Sequence, residues 1–422
     1  MSSDPILVSL LPDSARLLDE DVLIGGVSLR ELADAYGTPL FVYDEETLRA
    51  RCAETAAAFD DGAAFASKSF LCGAMARLAV EEGLCIDVAT GGELDLVLRA
   101  GVAPSRVIMH GNNKLPSELE LALTVGVRRL VVDNFDEIGR LAGLVGTRPL
   151  HCLVRVTPGV EAHTHEFVRT GQEDSKFGFS LSSGDAQRAI AALRALDYVS
   201  VHGVHAHIGS QIFDAAGFDE EVRILVDFIA GEDFDELCVG GGLGVAYVEG
   251  ESALSLSQWG SAVRASAISA GIDPGVRITA EPGRAIVAQA GVTLYRVGTV
   301  KPVTQRTYMA VDGGMSDNPR PVLYGSGYEA FDVGQPRARR PQKVRLVGRH
   351  CESGDVLIDE AWLPATTAVG SLIATPVTGA YGYSMASNYN RVARPGVIFV
   401  ADGSAREVLR RENFEDLARL EV

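Results

Sequence analysis

The stretch "AAFASKSFLCGAMARLAVEEGLCIDVA" (residues 63–89) contains a complete strand–helix–strand pattern. Short apolar runs at 63–67 and 85–89 have the length and composition of buried strands. Between them, "GAMARLAVEEG" (73–83) spaces its apolar residues three and four apart and stops at a glycine, as an amphipathic helix does. A strand–helix–strand unit of this kind makes a right-handed crossover, so the two strands are expected to lie parallel in one sheet.

The pattern of strand and helix recurs until about residue 285. Further strand-like runs lie at 106–110, 129–133, 151–156, 201–207, 236–240 and 276–281, and most are separated by helix-like segments. Strands alternating with helices predict a parallel sheet, and eight of them predict a closed (β/α)8 barrel. An open doubly wound sheet is the alternative.

The alternation of strands and helices ends after residue 286. Segments such as "TYMAVDGG" (307–314) and "GVIFVADGSAREVL" (396–409) are β-branched, separated by turns, and lack long helices between them. The first 40 or so residues also contain β-like pieces, "ILVSLLP" (6–12) and "FVYD" (41–44). We therefore expect an α/β barrel at 44–285, a mainly β domain at 286–422, and an N-terminal segment, 1–43, that joins the β domain.

Composition excludes several classes of function. The formal net charge of −18 disfavours nucleic acid and anionic membranes, both of which require basic surfaces. No apolar run is long enough to span a bilayer, and the N-terminus lacks the basic region of a signal peptide. The six cysteines form no C-x-x-C pair, which predicts neither a metal site nor a disulfide framework and indicates a reducing cytoplasm.

Polar groups follow the ends of six of the predicted barrel strands. In a barrel these ends converge on one face, where active sites lie. The groups are Lys68, Asp87, His110, His207 with Ser210, the glycines 240–242 of "GGGLG", and Glu281, Gly283 and Arg284 of "EPGR".

Each of these features alone has an ordinary explanation. A single lysine is usually a solvated surface residue, consecutive glycines usually form a tight turn, and a glutamate before proline can simply cap a helix. Lys68, however, directly follows an apolar run, and the chain has only five lysines among its 38 basic residues. An amine withdrawn from water is a nucleophile that can form a Schiff base, which arginine cannot do.

Taken together the groups match one cofactor, pyridoxal 5'-phosphate. It needs a lysine, a phosphate cradle, a flat group against its ring and a partner for its ring nitrogen. Lys68, "GGGLG" with Ser210, His207 and Glu281 supply these in turn. A carboxylate at the ring nitrogen favours carbanion chemistry, since it keeps that nitrogen protonated.

Several stretches in combination make the chain resemble the fold-type III pyridoxal-phosphate decarboxylases, most closely the branch that acts on diaminopimelate. They include "HIGSQI" (207–212), "TGQEDSKFGFS" (170–180), "RPVLYG" (320–325), "CESGD" (351–355) and "GAYGYSMASNYN" (379–390). The resemblance covers nearly the whole chain. It implies decarboxylation of meso-2,6-diaminopimelate at its D-centre to L-lysine, the last step of bacterial lysine biosynthesis.

The resemblance also implies roles for individual residues in a head-to-tail homodimer whose active sites are shared between subunits. Cys351 and Glu352 would reach in from the partner subunit, as proton donor and as ligand of the distal ammonium. The other implied roles are Lys68 as Schiff-base lysine, His207 against the ring and Glu281 at the ring nitrogen; Ser210, Gly240, Gly241, Gly242, Gly283, Arg284 and Tyr381 around the phosphate; and Arg284, Arg320, Tyr324 and Tyr381 at the substrate.

The chain departs from the family pattern at three places. "GRH" (348–350) stands where the family usually has Gly-Pro and one more residue, Ser69 replaces the commoner alanine, and "GGGLGVAY" (240–247) replaces "GGGLGIPY". None removes a functional group, but the first bears on the loop that presents Cys351. The alternatives are a related decarboxylase for another amino acid, which Arg320 disfavours; a racemase-like barrel, which Glu281 disfavours; and an inactive barrel, which would not need Lys68 or Cys351.

Overall fold

The computed structural model describes residues 8–160 and 175–422 and divides the chain into two compact units. The first comprises Met1–Ala50, Ala246–Ser252 and Ile286–Val422, and the second Arg51–Val245 and Ala253–Ala285. The start of "ILVSLLP" and residues 161–174, which include most of the charged motif before "SKFGFS", lie outside the described residues. Each unit is described by itself below.

The chain begins with a small antiparallel sheet, a short helix and a buried strand. Ser28 begins the helix, since its hydroxyl accepts a hydrogen bond from the backbone N–H of Glu31. All residues of the following strand, "LFVYD", are buried; the first four are apolar or aromatic, and the carboxylate of Asp44 accepts a hydrogen bond from the Thr47 hydroxyl. The elements are β1 Arg16–Leu17, β2 Val22–Ile24, β3 Val27–Ser28, α1 Leu29–Tyr36, β4 Leu40–Asp44 and α2 Glu45–Ala58.

The second unit alternates strands with helices as the sequence predicts. Its strands are β5 Ala64–Ala66, β6 Cys85–Val88, β7 Val107–Met109, β8 Arg129–Val132, β9 Leu150–Thr157, β10 Phe179–Ser180, β11 Val199–His205, β12 Glu236–Cys238 and β13 Arg277–Thr279. Its helices are α3 Gly73–Glu81, α4 Gly91–Arg99, α5 Pro116–Val125, α6 Phe135–Leu144, α7 Asp185–Arg194, α8 Ala216–Ile229 and α9 Leu256–Ser269, with the short α10 Arg284–Val287 after β13.

Eight of these strands form a barrel, in the order β13-β12-β11-β9-β8-β7-β6-β5, and every neighbouring pair is parallel. The first and last strands meet, because Ala64 N donates to Ala280 O at 2.8 Å and Ala66 N donates to Pro282 O at 3.1 Å. The (β/α)8 prediction is therefore confirmed, and the open sheet is excluded. The interior is filled by one buried residue from each of six strands, Ala64, Cys85, Ile108, Val131, Leu153 and Cys238.

The first unit is completed by the C-terminal part of the chain, which is mainly β as predicted. Its main sheet runs β18-β17-β15-β14-β4-β20-β21, and β19 pairs with both β14 and β16. The N-terminal β4 lies between β14, antiparallel, and β20, parallel. The elements are β14 Gly291–Pro302, β15 Thr307–Val311, α11 Arg320–Tyr324, β16 Phe331–Asp332, β17 Gln342–Val347, β18 Val356–Leu363, β19 Leu372–Pro376, β20 Gly396–Ala401, β21 Ser404–Leu409 and α12 Phe414–Ala418.

Among the described residues, none of the helices combines the length and the apolar character that crossing a bilayer requires.

Candidate active site

Lys68 lies directly after β5, in a single 3-10 turn, Ser67–Ser69. Both serines are buried, whereas Lys68 is exposed. The sequence led us to expect a lysine withdrawn from water, but in the described chain Lys68 is exposed. Burial raises the pKa of Asp87 although the nearby charge of Lys68 opposes this, whereas burial and Lys68 both lower the pKa of His207.

Glu281 follows β13 and is held by two histidines. Its Oε1 accepts from His110 Nε2 at 2.9 Å, and its Oε2 accepts from His205 Nε2 at 2.9 Å. All three side chains are buried. Burial alone would raise the pKa of Glu281, but His110 and His205 together hold it well below its usual range. The site therefore contains an ionised carboxylate with a fixed orientation.

The pKa values of the two histidines shift in opposite directions. Although burial opposes it, the carboxylates of Asp87 and Glu281 raise the pKa of His110. Burial lowers the pKa of His205 to about 4, so this ring is neutral and donates through Nε2. Burial also raises the pKa of Asp87 to about 6. One ligand atom from each of His110, His205 and Glu281 lies within 4.8 Å of the others, and the three side chains are joined to one another by the hydrogen bonds between Glu281 and the two rings.

The loop "GGGLG" has no room for side chains at its first three positions. A Cβ at Gly240, Gly241 or Gly242 would lie 2.3, 2.5 or 2.4 Å from a backbone carbonyl oxygen. Gly240 and Gly242 also have φ of +61° and +112°, which favours glycine. Gly241 N donates to His207 Nδ1 at 3.2 Å, which fixes the ring beside this loop.

Ser210 and Arg284 extend the same region. Arg284 Nη2 donates to Ser210 Oγ at 3.0 Å, which joins the loop after β11 to the loop after β13. Gly283 packs against β5, since a Cβ there would lie 2.8 Å from Ala66 O. Short polar groups and exposed backbone of this kind can surround a phosphate.

The described residues of the barrel fit the predicted pyridoxal phosphate. A cradle that admits no Cβ, an ionised carboxylate between two histidines, an imidazole fixed at Nδ1 and one lysine are present at the same strand ends. The structure brings together the barrel residues that the sequence singled out, namely Lys68, Asp87, His110, His207, Ser210, Gly240, Gly241, Gly242, Glu281, Gly283 and Arg284.

The first unit contains the remaining candidates. Arg320 is buried between two aromatic rings, with its guanidinium carbon 4.2 Å from the centre of the Tyr247 ring and 5.5 Å from that of Tyr328. Its Nη1 donates to the Tyr328 hydroxyl at 2.5 Å. Tyr324, four residues later on α11, is 39% exposed. Cys351 and Glu352 are exposed, and Tyr381 is half-buried with φ of +60°.

Sequence reasoning missed His205, which holds one oxygen of Glu281. The signal was the second histidine of "VHGVHAH" (201–207): His205 is the last residue of β11, two residues before the predicted site residue His207. It also missed His350, whose ring contacts are described below; one cue was the departure at "GRH".

Comparison with known proteins gives a consistent result. Residues 45–288 match the family described as "Pyridoxal-dependent decarboxylase, pyridoxal binding domain". The chain is 46% identical to the diaminopimelate decarboxylase of Mycobacterium tuberculosis over 95% of each chain. It is 44% identical to that of Bacillus subtilis over 94% of each chain.

Solved structures agree with the sequence relatives. Diaminopimelate decarboxylase from M. jannaschii in complex with L-lysine has a TM-score of 0.89 and 29% identity, and the match covers 100% of this chain and 99% of that chain. The lysine/ornithine decarboxylase of Vibrio vulnificus complexed with putrescine has a TM-score of 0.74 and 21% identity, over 89% of this chain and 97% of that chain. At the latter identity the likeness concerns the fold alone.

Proposed function

The chain belongs to the pyridoxal-dependent decarboxylases, and within them to the diaminopimelate decarboxylases, and on that basis we propose how its residues carry out the reaction. It is a carboxy-lyase that uses pyridoxal 5'-phosphate and converts meso-2,6-diaminopimelate, at its D-centre, to L-lysine and CO2. The observation that carries this function is the 46% identity to a diaminopimelate decarboxylase across 95% of both chains.

The barrel residues hold the cofactor in this proposal. Lys68 attaches it covalently, the glycines 240–242 with Ser210, Gly283 and Arg284 surround its phosphate, and Tyr381 adds a hydroxyl. His207 presents a flat face to its ring. When bound, pyridoxal phosphate accepts the electron pair that departing CO2 leaves behind.

Glu281 has the clearest electrostatic role. Its carboxylate is ionised and each of its oxygens already accepts one hydrogen bond, from His110 or His205. A carboxylate offers about four lone-pair sites, so Glu281 can still accept from a ring nitrogen while both histidines keep its orientation fixed. Asp87 Oδ1 lies 3.8 Å from the same Nε2 of His110.

Substrate specificity rests on recognition of the substrate's distal end. Diaminopimelate has a second carboxylate that lysine lacks, and a guanidinium binds a carboxylate through two parallel hydrogen bonds. We assign that contact to Arg320, supported by Arg284 and Tyr324. Glu352 binds the distal ammonium, and Cys351 donates the proton that replaces the lost carboxyl group.

The active enzyme is a homodimer in this proposal, with Cys351 and Glu352 supplied by the partner subunit. The six cysteines are all free, and five of them are buried. Free thiols support a reducing compartment, and we place the enzyme in the cytoplasm.

The decisive experiment measures CO2 release by the purified protein from meso-diaminopimelate, L-lysine and L-ornithine, with Lys68→Ala as the inactive control. We expect diaminopimelate to be preferred, and Arg320→Ala to lower its kcat/KM about 10- to 200-fold because a charge-assisted hydrogen bond is lost. The same change should cost little for the slow turnover of lysine. If the wild type prefers lysine or ornithine, the enzyme is a decarboxylase of another amino acid. If Arg320→Ala lowers kcat/KM equally for diaminopimelate and lysine, Arg320 has a structural role.

A further inference from the structure

The loop at residues 348–355, which presents Cys351, is closed by the carboxylate of Asp355. Asp355 is 3% exposed. Its Oδ1 accepts from Met315 N at 2.7 Å, and its Oδ2 accepts from His350 N at 2.8 Å. A Cβ at Gly348 would lie 2.3 Å from an oxygen of this carboxylate, so the loop is tightly packed at its base.

The His350 ring is a second attachment point of the same loop. It is buried, and its Nε2 lies 2.8 Å from Ser316 Oγ while its Nδ1 lies 3.1 Å from Asn390 Oδ1. The amide oxygen of Asn390 can only accept, so Nδ1 donates to it, whereas the Ser316 hydroxyl can either donate to Nε2 or accept from it. The His350 ring thus joins two other segments of the unit through both of its nitrogens.

The segments that contain Ser316 and Asn390 are also connected to each other. Ser387 N donates to Ser316 O at 2.9 Å, and the Tyr389 ring lies 5.3 Å from the His350 ring, centre to centre. Asn390 has φ of +53°, a conformation that asparagine tolerates better than most residues. Through His350 the loop is therefore fixed to the segment 379–390, which also contains Tyr381.

The backbone at the entry to the loop is held as well. Arg349 N donates to Gly313 O at 2.9 Å, and the neighbouring His350 ring adds its hydrogen bonds to Ser316 and Asn390.

We infer that His350 is a positioning residue of the decarboxylase. Its ring hydrogen bonds to Ser316 and Asn390 hold the exposed Cys351 and Glu352 at a fixed place relative to Tyr381. The expected effect on turnover rests on the proposed roles of Cys351 and Glu352. The expected effect on the mobility of the loop does not depend on those roles.

Thiol chemistry gives a direct measurement of the loop. Cys351 is exposed and the other five cysteines are buried, so iodoacetamide should modify Cys351 first in the folded enzyme. Removing the ring in His350→Ala loosens the loop and should raise the alkylation rate of Cys351 at least about threefold, the scale of one lost hydrogen bond. Peptide mapping identifies the modified cysteine. Arg349→Ala is the matched control, since its side chain is exposed and its backbone bond is retained.

Steady-state kinetics of the cofactor-loaded enzyme test the consequence for catalysis. A misplaced Cys351 should lower kcat for diaminopimelate about five- to tenfold, and a misplaced Glu352 should also raise KM. His350→Asn can still donate to Asn390 through its amide and should recover part of the loss. The absorption of the bound cofactor should be unchanged in every variant, because His350 is not among the residues assigned to hold it.

The outcomes separate this inference from the proposed function. Wild-type alkylation and an unchanged kcat in His350→Ala would overturn it. If His350→Ala does not fold, Ser316→Ala and His350→Asn can replace it, since each removes one of the two ring hydrogen bonds. Alkylation of Cys351 at the wild-type rate in both variants would overturn the inference equally. If the wild type does not release CO2 from diaminopimelate, the proposed function fails, while the alkylation rates still decide whether His350 holds the loop.

Discussion

Glu221 on α8 is an ionisable residue in an apolar environment. Its side chain is fully buried, and neither carboxyl oxygen has a hydrogen-bond partner among the described residues. Burial raises the pKa of Glu221 well above its usual range, so the folded chain holds it protonated. No step of the proposed reaction uses this residue. Its burial therefore lowers the free energy of unfolding without serving the active site.

We expect Glu221→Gln to stabilise the fold, and more strongly at high pH. The unfolded chain releases the proton above about pH 4.3 whereas the folded chain retains it, so wild-type stability falls as pH rises from there toward the raised folded pKa. Glutamine removes this dependence. Chemical denaturation at pH 5 and pH 8.5 should show a difference in unfolding free energy that grows with pH, by about 1–3 kcal/mol.

The exposed neighbour Glu220 provides the control for this prediction. Glu220→Gln lies on the same helix and removes the same charge, so it should change stability by less than about 0.5 kcal/mol at either pH. A benefit from Glu221→Gln that is independent of pH would mean that the buried carboxyl is not protonated in the fold.

At the scale of a single element, the loop between β12 and α9 depends on glycine for its shape. Gly241→Ala would place a methyl group 2.5 Å from Glu281 O, and a backbone atom there cannot yield without displacing the carboxylate that follows β13. We expect the affinity for pyridoxal phosphate, titrated by absorbance, to fall at least about tenfold, the scale of one misplaced contact of 1.4 kcal/mol.

Gly139→Ala on α6 is the matched control for the loop variant. A Cβ at Gly139 meets nothing within 4 Å, and alanine favours the helix by about 0.5–1 kcal/mol. This variant should bind the cofactor normally and unfold at a slightly higher temperature. Unchanged cofactor affinity in Gly241→Ala would show that the loop can move aside and that close packing there is not required.

Elements with a clear local pattern were predictable, whereas side-chain partners were not. The apolar runs at 85–89 and 276–281 became β6 and β13 because a buried parallel strand needs little more than such a run. Lys68, Glu281 and the glycines were identified through their position after strands. The sequence contains no measure of distance between Glu281 and His205, or between His350 and Asn390, since these contacts depend on the tertiary fold.

On the scale of the whole molecule, the proposal requires two subunits for one active site. Lys68→Ala and Cys351→Ala should each be inactive alone. After subunit exchange, about half of the dimers are mixed and each has one intact site, so activity should return to about a quarter of the wild-type value. The measurement is CO2 release before and after mixing, with exchange verified by differently tagged subunits.

A second pair of variants tests whether complementation arises for the stated reason. Lys68 and Glu281 both belong to the barrel unit. Mixing Lys68→Ala with Glu281→Ala should restore nothing, since neither site of a mixed dimer is intact. If exchange is verified and the Lys68 and Cys351 variants also stay inactive together, Cys351 acts within its own chain.

The position of β4 imposes an order on biosynthesis. Leu40–Asp44 is made early, yet its neighbours are Gly291–Pro302 and Gly396–Ala401, and the second of these emerges roughly 350 residues later. At about 5–20 residues per second the nascent strand waits about 20–70 s for that partner. All eight barrel strands leave the ribosome during this interval and can pair with one another. A stop codon between residues 303 and 395 would therefore release a chain with a finished barrel in which β4 lacks its partner β20 and presents an exposed, aggregation-prone edge.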